Sequence, residues 1–212
     1  MKPAFLLRSL VAAALAAAAG TSFAINDPIG DFLPSYTGVH AADLDVVSSF
    51  VTYNPGSDTF FFSGTMNGAI GTTSTAFYVW GLDRGTGTAR FGALADHVLF
   101  DSVVILRLDG SASVNLLPGN TNLPGITTFA GNTITASISG SLLPGAGFAK
   151  SAYTWNLWPR DGSQPAGNGQ ISDFAPDNSN VDVAVVPEPS TLALLALGLG
   201  ALGWRVKRRD AV

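Results

Sequence analysis

The sequence predicts an all-β fold: an antiparallel two-sheet sandwich of jelly-roll or immunoglobulin-like type, flanked by an N-terminal signal helix and a C-terminal single transmembrane helix. Three observations carry this expectation. β-Branched and aromatic residues alternate with small polar ones over most of the chain, Gly, Pro, Asn and Asp punctuate them at short intervals, and the two long apolar runs, Leu10 to Ala19 and Leu192 to Trp204, stand at the ends. The 212 residues are sized for one domain plus targeting segments. Only 12% are charged, with 24 Gly and 12 Pro, which excludes a helical bundle and a charged disordered chain. There is no Cys, so a disulfide scaffold, a thiolate zinc site and a cysteine nucleophile are excluded together. A formal charge of -4 argues against a nucleic-acid partner, which requires a basic face.

The first 24 residues read as a secretory signal peptide. Lys2 and Arg8 precede the apolar run Leu10 to Ala19, and Ser22-Phe23-Ala24 places small residues at the -3 and -1 positions of a cleavage site. The mature chain is expected to begin at Ile25, and the exported domain spans residues 25–186.

That domain carries thirteen Asp and no Glu against five basic side chains, a net of eight negative charges that the overall -4 conceals. Eight strands are predicted in it: Leu44 to Tyr53, Thr59 to Met66, Ala76 to Leu82, His97 to Leu108, Ser111 to Leu117, Thr133 to Leu142, Ser151 to Trp158 and Val181 to Val186. Asn54-Pro-Gly-Ser-Asp58 and Asp109-Gly110 have the chemistry of hairpin turns, and Gly131-Asn132 leads into another strand. Parity puts Ile134, Ala136 and Ile138 on one face, with Thr133, Thr135, Ser137 and Ser139 on the other; Phe60 and Phe62 share a side opposite Phe61. Val103 to Leu106 is apolar without alternation, as for a central strand covered on both faces. Leu117 to Gly125 and Arg160 to Asn180 read as long connections.

No catalytic residue is assigned. His40 and His97 are the only histidines, and the Gly-x-Ser-x-Gly nucleophile elbow is missing. Asp96 and His97 are neighbours, which on a strand point to opposite faces. A hydrolase acting through paired Asp remains the third-ranked alternative. For metal, Asp173, Asp177, Asn178, Asn180 and Asp182 concentrate hard oxygen donors in one loop, as calcium takes, though without the ordered spacing of an EF-hand. Asx turns without an ion are the competing account. For carbohydrate, Trp158 at a strand end is the aromatic expected to be partly exposed, and Asp83, in Asp83-Arg-Gly-Thr-Gly-Thr88, offers a polar partner. Tyr78, Trp80, Tyr153 and Trp155 are expected in the core.

Residues 187–212 form the last segment. From Pro189 to Val206 the chain could make roughly 27 Å of helix, at about 1.5 Å per residue, against a hydrocarbon core of about 30 Å. Arg205, Lys207, Arg208 and Arg209 follow as a basic stop-transfer cluster, which leaves the domain outside. Gly198-Leu-Gly-Ala-Leu-Gly203 matches a dinucleotide-binding pattern, but it lies within an apolar run and not after a strand, and is discarded. Before the span, Val186-Pro-Glu-Pro-Ser-Thr191 presents Glu188, the only Glu of the chain, in a stretch that two prolines hold extended.

The order Pro187, Glu188, Pro189, Ser190, apolar span, basic cluster resembles the PEP-CTERM sorting signal of Gram-negative bacteria. That resemblance implies processing by the membrane enzyme exosortase, an inner-membrane precursor held by its C-terminal helix, and delivery to the cell surface or extracellular matrix in exopolysaccharide- and biofilm-forming bacteria. It implies an address and no chemistry. The expectation is a non-enzymatic structural or adhesive sandwich without a resident cofactor; the alternative is a calcium-dependent carbohydrate-binding module acting on exopolysaccharide.

Overall fold

The computed structural model describes residues 24–186, together with Gly198. The expected signal peptide (residues 1–23 of it), the sorting residues Pro187 to Ser190, the expected transmembrane helix and the basic cluster Arg205 to Arg209 lie outside the described residues. No helix among the described residues is long and apolar enough to cross a membrane. Residues 24–186 make one compact unit.

Fourteen strands follow in chain order: β1 (Ile25–Asn26), β2 (Val46–Asn54), β3 (Thr59–Met66), β4 (Ala76–Asp83), β5 (Thr88–Ala89), β6 (Leu99–Phe100), β7 (Ser102–Arg107), β8 (Ala112–Asn115), β9 (Asn120–Leu123), β10 (Thr127–Ala130), β11 (Thr133–Ser139), β12 (Thr154–Asp161), β13 (Val181–Asp182) and β14 (Ala184–Val185). One six-stranded sheet runs β1-β2-β3-β11-β10, with β14 also on β2; the other runs β13-β12-β4-β7-β8-β9, and β5 and β6 form a small ribbon. All pairs are antiparallel except β14 on β2. The fold is all-β, as expected.

The predicted turns form. Asn54 Oδ1 accepts from the N–H groups of Gly56 and Ser57, closing the β2–β3 hairpin. Gly110 turns β7 into β8 at φ +83°, a left-handed conformation that glycine adopts without Cβ strain.

The parity assignments hold as well. Phe60, Phe62, Ile134 and Ile138 of the first sheet interdigitate with Trp80, Leu106, Trp155 and Leu157 of the second in the main core. Each buried aromatic there finds a partner for its polar tip. Tyr78 donates to Asp43 O (2.9 Å), Trp80 Nε1 to Ser49 Oγ (3.3 Å), Tyr153 to Leu143 O (3.0 Å) and Trp155 Nε1 to Asp182 O (3.3 Å). Rings of this size dominate core energetics provided those tips are satisfied.

A second apolar cluster lies on the other side of β4, β7 and β12. Val79, Val103 and Trp158 meet Phe91, Val98, Phe100 and Phe174, contributed by the 84–101 and 171–174 segments. That is why Val103 to Leu106 reads as apolar without alternation: Val104 and Leu106 enter the first cluster, Val103 and Ile105 face the second.

Several boundaries depart from expectation. Leu44 lies in a 3-10 turn, Ala42–Leu44, and not in β2. The strand expected from His97 to Leu108 is broken, because Asp101 N–H donates to Leu82 O at the junction and β6 pairs with β5. Thr133 to Leu142 stops at Ser139, whose hydroxyl accepts the Ser141 N–H and caps a 3-10 turn. Val181 to Val186 divides between the sheets, with Val183 buried at the crossing and donating to Tyr153 O at 2.9 Å. The stretch Leu117 to Gly125 is no plain connection, since it contains β9.

Candidate functional site

The loop 173–182 does not gather its five oxygen donors around one point. Asn178 accepts the His97 N–H at 2.9 Å and donates to Asp96 at 2.9 Å, while Asn180 accepts the Leu99 N–H at 3.0 Å and donates to Leu99 O at 2.7 Å. Both amides therefore staple the loop to the 96–99 segment, as Asx side chains do. Asp182 sits exposed on β13 opposite Thr154. Asp173, only 1% exposed, points elsewhere.

Its companions come from the start of the mature chain. β1 pairs with Ser48 and Ser49, Asp27 N–H donates to Val47 O at 3.1 Å, and Leu33 N–H donates to Ser172 O at 2.8 Å, so residues 27–33 are laid beside the 172–173 segment. Asp45 fixes the turn between, accepting the Gly30 N–H on both carboxylate oxygens at 3.0 and 3.1 Å. Carboxylate oxygens of Asp27, Asp31 and Asp173 consequently lie within 4.8 Å of one another.

Two ligand oxygens on a single calcium ion, each at about 2.3–2.6 Å, are at most about 5 Å apart, so the spacing fits a shared divalent cation. Asp173 is also held in place: its Oδ2 accepts the Val46 N–H at 2.9 Å and its Oδ1 the Phe174 N–H at 2.7 Å. By contrast, Asp27 Oδ2 and Asp31 Oδ1 are sealed from solvent without a hydrogen-bond partner. A buried carboxylate oxygen without a partner is costly, and a cation is one means of satisfying it.

The protonation equilibria reflect that cost. Burial, reinforced by the charge of Asp173, pushes the Asp27 carboxyl up to about 8. Burial also raises Asp173 to about 7, against the opposing pull of the Val46 N–H. Asp31 is raised by burial and by the charges of Asp177 and Asp45. Of the sequence-predicted ligands, Asp173 belongs to this cluster and Asp177 borders it. Asp27 and Asp31 escape sequence reasoning, because they stand almost a whole domain away in the chain and no local spacing links them.

The two carbohydrate expectations are corrected by packing. Trp158 is 2% exposed, its ring centroid 5.0 Å from Phe91 and 5.2 Å from Phe100, so its faces cannot receive a sugar. The segments that cover this side of the sheet are invisible to strand parity. Asp83 is buried, and its Oδ1 accepts the N–H groups of Gly85 and Gly87, both at 2.8 Å, which builds the turn. His40 stacks on Phe32 with centroids 4.3 Å apart. His97 is in a turn rather than on a strand; its Nε2 lies 4.0 Å from Asp96, with the two side chains 75% and 61% exposed.

Residues 185–209 match the family described as the PEP-CTERM protein-sorting motif. No curated protein matches the chain. The chain thus carries a C-terminal sorting signal that begins at Val185, inside β14, and includes the Pro187, Glu188, Pro189 and Ser190 read from the sequence.

Proposed function

We propose that this chain, an exported protein sorted through its C-terminal PEP-CTERM signal, is a structural or adhesive module of the cell surface or extracellular matrix. Its precursor is held at the inner membrane by the apolar segment, processed by exosortase, and then delivered. The observation that carries the reading is the match over residues 185–209, which starts where the sandwich ends: Val186 N–H still donates to Tyr53 O at 2.9 Å. The module is non-enzymatic in this reading, and its two histidines are accounted for by a ring stack and an exposed surface pair. Replacement of Glu188 by Ala should leave the fold intact and keep the precursor in the membrane fraction, and removal of residues 205–209 should weaken retention. Delivery of both variants to the parent's location would refute the reading.

A second reading is a calcium-dependent carbohydrate-binding module acting on exopolysaccharide. The Asp27, Asp31 and Asp173 cluster, with two orphaned buried oxygens, favours it. These three side chains would hold the ion and tie the mature N-terminus to the sandwich. Titration calorimetry of the mature protein with Ca²⁺ should give heat that Asp31→Asn abolishes; no heat for the parent removes calcium from the account.

A further inference from the structure

With Trp158 and Asp83 buried, a glycan needs another surface, and the outward face of the β2-β3-β11-β10 sheet has the chemistry for one. Registers across the sheet bring Phe50, Ser63, Thr135 and Thr128 into one row. The next row holds Thr52, Phe61 and Ser137. In the middle, Phe50 and Phe61 lie with ring centroids 5.8 Å apart, both half-buried and both directed away from the main core.

Around them the hydroxyls are aligned in cross-strand pairs. Thr128 and Thr135 are 2.9 Å apart and Thr65 and Thr133 are 3.1 Å apart, oxygen to oxygen. In each pair one hydroxyl donates to the other, and the acceptor retains its own proton for a ligand. None of the four strands contains an ionisable side chain other than Tyr53, which points into the core, although the domain as a whole carries thirteen Asp.

We infer that this face binds a neutral polysaccharide, the C–H faces of its pyranose rings resting on Phe50 and Phe61 and its hydroxyls exchanging hydrogen bonds with the exposed Thr128 and Ser137 and the half-buried Thr65, Thr133 and Thr135, while Ser63 and Thr52 are buried. An uncharged, hydroxyl-bearing surface with a small aromatic centre matches a sugar chain, which offers apolar ring faces and hydroxyls and no charge. An acidic polymer would meet a domain of net charge -8 with no cation on this face. A second copy of the chain fits less well, because stable protein interfaces bury about 800 Å² per partner around a well-packed apolar centre, and this face supplies two partly buried rings. The inference takes its ligand class from the carbohydrate-binding reading but is independent of calcium.

The test is sedimentation of the mature protein with insoluble cellulose, curdlan and chitin, with alginate gel as the acidic comparison and EDTA as an added arm. Binding to at least one neutral glycan, unchanged by EDTA, is expected. Phe61→Ala should weaken it at least tenfold. Ser137→Glu, a charge on an exposed strand position that leaves the core untouched, should do the same, while Thr121→Ala on β9 should have no effect. Neutral-glycan binding that both face variants retain overturns the assignment of this face and leaves the carbohydrate reading standing. Binding to alginate alone also overturns it. Self-association in ultracentrifugation that Ser137→Glu abolishes likewise overturns the assignment of this face, and no binding to any glycan removes both.

Discussion

Arg84 Nε lies 2.7 Å from Asp101 Oδ1, with the two side chains only 7% and 8% exposed. Asp101 Oδ2 accepts the backbone N–H of Arg84 at 3.0 Å and of Thr86 at 3.2 Å, and Arg84 Nη1 donates to Pro144 O at 2.7 Å. This ion pair therefore joins the end of β4, the covering segment over the second cluster and the 144–148 loop. Removing one member leaves the other buried and uncompensated, which typically costs about 3–5 kcal/mol. Asp101→Ala should lower the urea midpoint accordingly, and more than Asp101→Asn, which keeps one acceptor oxygen. An unchanged midpoint would mean that the pair is solvated in solution.

Close packing gives a second expectation. A Cβ at position 81 would collide with the indole of Trp158, so Gly81 admits this ring because it has no side chain. Overpacking of a filled core costs about 1–3 kcal/mol. Gly81→Ala should therefore destabilise the domain, and Trp158→Ala, which empties the site, should cost about 3–5 kcal/mol. The double variant should cost less than the sum of the two, since the indole that the added methyl group strikes is gone. Thermal denaturation of the three variants measures the coupling.

The carboxylate cluster has a pH signature with a definite sign. Asp27 and Asp173 have folded-state pKa values raised to about 8 and about 7, above the 3.8 of an unperturbed Asp. Between those limits the folded protein holds protons that the unfolded chain has lost, so without divalent cation stability falls as pH rises from about 4 to about 8. Asp27→Asn should flatten that decline. If calcium binds here it favours the ionised carboxylates, so the rise in Tm on adding Ca²⁺ should be larger at pH 8 than at pH 5. A rise of equal size at both pH values would place any bound ion elsewhere.

Much of the fold is legible in the sequence because it is local. The β2–β3 and β7–β8 hairpins announce themselves in Asn54 to Asp58 and Asp109-Gly110, and parity alone sorts Phe60 from Phe61. β9 and β10 do not read as strands, since Pro118, Pro124 and Gly125 beside four-residue elements look like loop punctuation. Trp158 departs from expectation for a different reason: whether a strand's outer face is solvent depends on segments distant in the chain, such as that of Phe91 and Phe100. The carboxylate cluster joins Asp27 and Asp31 to Asp173, a contact made only when both ends of the domain meet. The sorting motif is the opposite case: a contiguous signal, readable without any fold.

Export followed by processing at the C-terminal signal fixes the mass of the mature protein recovered from its own cells, which intact-mass spectrometry reads. The expected species starts at Ile25 and has lost the apolar segment and the basic cluster Arg205 to Arg209. A recovered mass that still includes residues 205–209 would contradict that processing.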